Sequence, residues 1–339
     1  MVGKVEGRKL QLAGKSTFLV SLPKRWVTNQ GLKAGDTLFV DAESDGSVSI
    51  RLHSSTRPIT RRKTFQESGE ESREHLIRKL VGAYVSGFGL IEVRFPSDRA
   101  PFVRRVAREF CRLVIGPEVI EESPTSIVIQ DLSDPSELSS EKCLRRMHLT
   151  VRAMLEDAVG AVRTGNESLA HDVALRGQDV DRLYWMVAKQ YHLVHSAPAE
   201  ANAPATIHGH RLIAKLFERI GDHAQRIAGT CPVLDKEKGL DPKFFDQLTE
   251  ARDSAIAILD RAFNALVTRN LEAANEAIDA RAVHERLVDG LAERVASRRG
   301  RPVLALATVI DSLRRVAVYG GEIAEEAIDL AVLMGPKTG

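Results

Sequence analysis

Glu218 and Asp222 stand four residues apart in the stretch LFERIGDHAQRIA, residues 216–228. On a helix that spacing puts both carboxylates on one face, where their oxygens converge on a single cation. The same acids also suit an ordinary helix surface, paired with Arg219 or Arg226 for ~0.3–0.5 kcal/mol. His223 follows Asp222, and His208 and His210 lie earlier in the same run; these three read as capping or surface histidines. A second chemistry lies near the amino terminus. In STFLVSLPKRWV, residues 16–27, an alternating apolar run meets Pro23, which is free to open a helix because its missing N–H has no partner there anyway. Lys24 and Arg25 come next. Adjacent cations suit a polyanion, with affinity that falls steeply with salt. The chain contains no Gly-rich phosphate loop, no G-x-S-x-G and no H-E-x-x-H, so it is not expected to be an enzyme.

The elements that must position these residues follow from composition and period. The 339 residues are 43% hydrophobic and 28% charged, an ordinary soluble balance for a multi-domain chain. No segment has the roughly 20 apolar residues of a membrane span, and MVGKVEGRKLQL lacks the apolar core of a secretory signal, so a cytoplasmic location without membrane insertion is expected. Cys111, Cys143 and Cys231 are odd in number and far apart, which points to buried free thiols. The net charge of +2 conceals an asymmetry. Residues 1–62 carry eleven Lys or Arg against five Asp or Glu, so the rest of the chain is mildly acidic.

Residues 8–52 read as short strands around a brief helix from Pro23 to Gln30, with Asp45-Gly46 as a hairpin turn. A module this small has little core, and pairing with a second copy follows. Residues 54–70 are polar without period and read as a linker. Residues 71–132 mix helix and strand in a small α+β unit, its second helix running from Asp98 to Leu113. From Ser136 onward the apolar period is helical, with breaks at Gly165-Asn166, Ser196 to Pro204, Cys231 to Asp241, Asn270 and Gly300 to Pro302 that leave six helices. Residues 158–183 lie over 262–287 at a constant offset of 104 with seven identities in 26, so two three-helix bundles in tandem are predicted.

At this point the residues resemble known families. The basic strand, the turn at Gly14 and Lys15, the helix LPKRWV and the following GLKAGDTLFV resemble the AbrB/SpoVT swapped-hairpin DNA-binding domain. VDRL at 180–183 and LFERIGDHAQRIA at 216–228 resemble PhoU, the phosphate-uptake regulator. Together they look like the archaeal PhoU family with a fused AbrB-like domain. The resemblance implies an AbrB-like DNA-binding and dimerisation domain over 1–53, a linker over 54–70, an α+β domain over 71–135, and PhoU-like three-helix bundles over 136–235 and 236–339. It places Arg8, Lys9, Lys15, Lys24 and Arg25 against DNA. It also implies iron or zinc in the first bundle, held by Glu218 and Asp222 with Asp181 added from the preceding helix.

The second bundle departs from that pattern. With residues 227–228 set over 323–324, Glu218 falls on Arg314 and Asp222 on Val318, while Glu285 is the counterpart of Asp181. Metal is therefore expected in the first bundle only. The function implied is a homodimeric, DNA-binding transcriptional regulator of phosphate uptake with a PhoU-like sensing body. The alternative is an interaction protein that restrains a phosphate ABC transporter through its bundles, with the small domain serving mainly to dimerise.

Overall fold

The computed structural model describes residues 7–42, 48–51, 61–133, 138–196, 203–234, 242–296 and 300–335. It divides into two compact units, Met1–Pro58 and Ile59–Gly339. In the first, Gly14 sits at φ 71°, where an L side chain is disfavoured, and turns the chain back on itself. The flanking segments β1 (Gln11–Ala13) and β2 (Thr17–Leu19) pair antiparallel with Gln11 opposite Leu19. Pro23 is the residue before α1 (Lys24–Asn29), one position earlier than the sequence suggests, and its carbonyl accepts the N–H groups of Trp26 and Val27. β3 (Phe39–Ala42) and β4 (Val48–Arg51) pair antiparallel with Phe39 opposite Arg51. The Asp45-Gly46 turn expected between them lies outside the described residues.

This unit has almost no interior. None of its side chains among the described residues is buried, and Leu10, Leu12, Phe18, Val40 and Val48 are between 61% and 67% exposed.

The second unit opens with β5 (Arg62–Gln66), which corrects the linker expected over 54–70. The strand RKTFQ carries a single large apolar residue, Phe65, so it shows no hydrophobic signal of its own. It forms because it lies parallel to β6 (Leu90–Arg94) at the edge of a sheet. The parallel step requires a crossover, supplied by α2 (Arg73–Val85). Ser72 caps that helix by accepting the His75 N–H at 3.2 Å. A 3-10 turn at Ser97–Arg99 leads into α3 (Ala100–Leu113), so this helix begins two residues later than expected. β7 (Pro117–Glu122) and β8 (Ser126–Asp131) complete a sheet of order β5-β6-β8-β7. Ile91 and Val93 of β6 and Ile127 and Ile129 of β8 alternate onto one face, where they pack with Leu76 and Leu80 of α2 and Phe110 of α3.

The helical body runs α4 (Ser140–Thr164), α5 (Glu167–Ser196), α6 (Ala203–Gly229), a short α7 (Cys231–Leu234), α8 (Pro242–Thr268), α9 (Leu271–Ala296) and α10 (Arg301–Met334). The internal repeat is visible in the joints. Asn166 caps α5 by accepting the Leu169 N–H at 3.0 Å, and 104 residues later Asn270 accepts the Ala273 N–H at 3.0 Å. The residue before each cap is left-handed: Gly165 at φ 67° in the first copy and Arg269 at φ 54° in the second.

The tandem bundles predicted from the repeat leave their mutual packing open, and the structure supplies it. A single continuous core runs through both, from Met147 and Leu155 through Phe217 to Phe244, Leu259 and Leu313. His148 of α4 ties them further, with its Nε2 2.7 Å from Asp260 Oδ1 of α8 and its ring stacked on Phe263 at 4.4 Å. Burial opposes ionisation of Asp260, but the hydrogen bond and charge of His148, with Arg152 beside it, outweigh burial and hold the carboxyl below its usual range.

The α+β unit is fastened to the same body. Lys189 of α5, 3% exposed, reaches out of the bundle to form an ion pair with Asp131 at the end of β8 and donates to Ser133 Oγ at 2.9 Å. Its ammonium lies 4.9 Å from the centre of the Tyr84 ring. Gly116 is required nearby, because a side chain there would stand 2.5 Å from Asp131 Oδ1. Cys143 and Cys231 are buried and Cys111 is half-buried, and among the described residues no disulfide joins them. Among the described residues, no helix is long and apolar enough to cross a membrane.

Candidate functional site

The acids singled out in the sequence share one electrostatic environment. Asp181 of α5 and Glu218 and Asp222 of α6 lie close enough to act on one another electrostatically. Asp181 is pushed up to about 6, first by burial, then by the charge of Glu218 and that of Asp222, with Lys215 opposing. The α6 helix sets the pair at one turn's spacing, and Phe217, Ile220 and Ala224 on its other side are fully buried and fix its rotation. Gly221 faces α5 and α4, where an added Cβ would make ordinary van der Waals contact with Val180 and Met154 at 3.6 and 3.8 Å.

The expected salt bridges to Arg219 or Arg226 are replaced by another. Glu218 Oε2 lies 2.7 Å from Lys215 Nζ, one turn earlier, and Glu218's side chain is 17% exposed. That contact is short but poorly aligned: the same oxygen is buried and has no hydrogen-bond donor. Arg219 turns instead to Tyr319 of α10, its guanidinium 6.0 Å from the ring centre. A buried, under-satisfied carboxylate oxygen beside two further acids fits a hard cation in charge and donor type. Among the described residues no three His, Cys, Asp or Glu side chains are gathered as closely as metal ligands.

The histidines correct the sequence reading. His223 and His210 are each 6% exposed, so neither is a surface residue, whereas His208 is exposed. His223 packs against Tyr319 at 5.8 Å and its buried Nδ1 has no hydrogen-bond partner. Burial, with Arg226 adding to it, lowers its pKa, so the ring is neutral near pH 7. His210 Nδ1 is 2.8 Å from Ser140 Oγ. Helical period alone cannot distinguish these two, because both lie on the flank of α6 that α10 and α4 cover. A polar cleft between α6 and α10 collects Lys215, Arg219, Arg226, Arg315 and Tyr319 around the acids.

The second copy explains its own departure. Arg314, standing where the first copy has Glu218, donates to Glu285, the counterpart of Asp181, and to Asp289 Oδ1 at 2.9 Å. A guanidinium fixed to the protein thus neutralises the acids there. The two bundles solve one electrostatic problem differently: facing carboxylates in the first, an ion pair in the second.

The five basic residues singled out in the amino-terminal unit are exposed. Arg8 and Lys9 lie just before β1, Lys15 in the turn after it, and Lys24 and Arg25 open α1. Only the last two are brought together by the local fold, as neighbours on one short helix.

The family model of the PhoU domain matches residues 144–230, which span α4 to α6 and hold Asp181, Glu218 and Asp222. The crystal structure of PhoU from Pseudomonas aeruginosa shares the fold over 57% of this chain and 96% of its own, with a TM-score of 0.53 and 19% identity. The phosphate transport system regulatory protein PhoU from Streptococcus pneumoniae does so over 59% and 96%, with a TM-score of 0.51 and 14% identity. No curated protein matches the chain. The helical body, matched by the PhoU-domain model over residues 144–230, therefore has the fold of the PhoU proteins.

Proposed function

We propose that the chain is a dimeric, DNA-binding regulator of phosphate uptake, in which the PhoU-fold body reports on phosphate status and the amino-terminal unit carries the protein to DNA. The single observation that carries the second half is the composition of that unit's surface. Its apolar residues Leu10, Leu12, Phe18, Val40 and Val48 are exposed, which for so small a module calls for a second copy to cover them. The exposed cations Arg8, Lys9, Lys15, Lys24 and Arg25 belong to the same unit, so dimerisation doubles a positive surface. The resemblance to the AbrB/SpoVT domain supports this reading. The PhoU domain match supports the first half.

The role includes iron or zinc at Glu218 and Asp222, with Asp181, because a divalent cation there would replace the Lys215 ammonium and relieve the facing acids. The runner-up, a protein that restrains a phosphate transporter by contact alone, is favoured by the description of the Streptococcus pneumoniae relative as a phosphate transport system regulatory protein. One experiment separates the two. The full chain should shift duplex DNA, with affinity falling steeply as salt rises. Lys24→Ala with Arg25→Ala should weaken binding to every sequence and flatten the slope of log K against log salt by about one for each phosphate the variant no longer neutralises. A chain that shifts no DNA at low salt leaves the transporter reading.

A further inference from the structure

A cavity of about 100 Å³ opens between α4, α6, α8 and α10, away from the carboxylates. Leu144, Phe263, Leu266, Leu330 and Met334 form its apolar wall. The helices come close here because residue 209 is glycine: a Cβ at that position would stand 2.9 Å from Leu330 Cδ1. His210 is held at the wall by Ser140 Oγ at 2.8 Å. Three charged residues join the lining, Glu141, Arg145 and Arg269, leaving one net positive charge.

Arg269 marks the cavity as more than a packing defect. Among the described residues it is the one non-glycine with positive φ, at 54°. The first copy places Gly165 at the equivalent joint, at φ 67°, and the backbone closes identically in both: Asn166 N–H to Ala161 O at 3.0 Å and Asn270 N–H to Ala265 O at 3.1 Å. A glycine would therefore serve at 269 without strain, yet a long cation stands there, in a conformation that costs an L residue free energy. Neither Arg269 nor Arg145 has a hydrogen bond or an ion pair to any described residue. Arg145 in particular makes no ion pair with Glu141, one turn earlier on α4.

We propose that this cavity binds a short-chain carboxylate, its apolar body inside and its carboxylate on Arg145 and Arg269. The volume sets the body. A cavity of roughly 150 Å³ holds benzene, so about 100 Å³ takes a chain of about four or five carbons. The single net positive charge sets the head, matching a monoanion, and guanidinium groups pair with carboxylates through two parallel hydrogen bonds. The site is independent of the DNA and metal readings and would give the body a second input.

The test titrates pentanoate into the full chain by calorimetry, with pentan-1-ol and inorganic phosphate as comparison probes. Pentanoate should bind with a Kd of about 1 mM or tighter, and pentan-1-ol about tenfold more weakly. Phosphate should not displace it. Arg269→Gly should lower pentanoate affinity to that of the alcohol while raising the melting temperature of the free protein by a few degrees, because the backbone strain is gone. A purely structural role for the Arg269 side chain in packing would move both in the same direction. Leu266→Trp should fill the cavity and abolish binding. Absence of saturable pentanoate binding at tens of millimolar, displacement by phosphate, or unchanged affinity in Arg269→Gly would each overturn the assignment.

Discussion

Asp181 is the residue whose environment most clearly sets a measurable property. Burial, Glu218 and Asp222 raise its folded pKa from 3.8 to about 6. The folded state thus keeps a proton that the unfolded chain releases, and stability falls as pH rises through that window, leaving the deficit in full above it. Asp181→Asn should therefore stabilise the metal-free protein at pH 7, by about 1 kcal/mol once partial solvent screening is discounted, and give no gain below pH 4. Urea unfolding at the two pH values checks this. Zinc added after chelator treatment should raise the parent's stability and raise the variant's less. If zinc changes neither, the three acids form a helix face neutralised by Lys215 rather than a metal site. Of this cluster, the spacing of Glu218 and Asp222 was legible in the sequence. Lys215 as the partner was not, because an i, i+3 cation competes equally with Arg219 and Arg226 until α10 draws Arg219 away to Tyr319.

At the scale of elements, α5 is the strut that joins parts the sequence separates. Asp181 on one stretch of it meets α6, and Lys189, two turns on, closes an ion pair with Asp131 from β8. Both partners of that pair are nearly buried, with side chains 4% and 9% exposed. Lys189→Ala should cost about 3–5 kcal/mol, because it leaves the Asp131 carboxylate buried without its cation. Lys189→Met with Asp131→Asn should recover part of that loss, as denaturant unfolding of the three proteins would show; equal stability of Lys189→Ala and the parent would mean that water replaces the amine. The long helices and three of the four sheet strands were readable from period and capping residues, whereas the short α7 lies in a segment that reads as a break. β5 was not, since RKTFQ has no apolar alternation and owes its conformation to the edge of β6.

For the whole molecule, the contrast between the two units decides what each does alone. Ile59–Gly339 carries two large buried clusters, whereas no described side chain of Met1–Pro58 is buried. Removing residues 1–58 should leave a cooperatively folding body of unchanged helix content by circular dichroism. It should also abolish DNA binding and lower the mass in sedimentation from dimer to monomer. A truncated chain that still dimerises would move the second copy's contact to the helical body.

The sequence by itself determined the local structure and the repeat. Glycines at left-handed positions, asparagine caps 104 residues apart and the 3.6-residue period are properties of short stretches, and each acts over a few residues. It also placed Arg314 and Val318 where the first copy has acids, and so the asymmetry between the copies. Tertiary structure alone decided what faces what: one core through both bundles, His210 and His223 buried rather than exposed, the α+β unit clamped by Lys189, and Arg269 set into the lining of a cavity. The reason is physical. Which flank of an amphipathic helix a neighbour covers depends on that neighbour's position, and that position is fixed by packing between residues far apart in the chain.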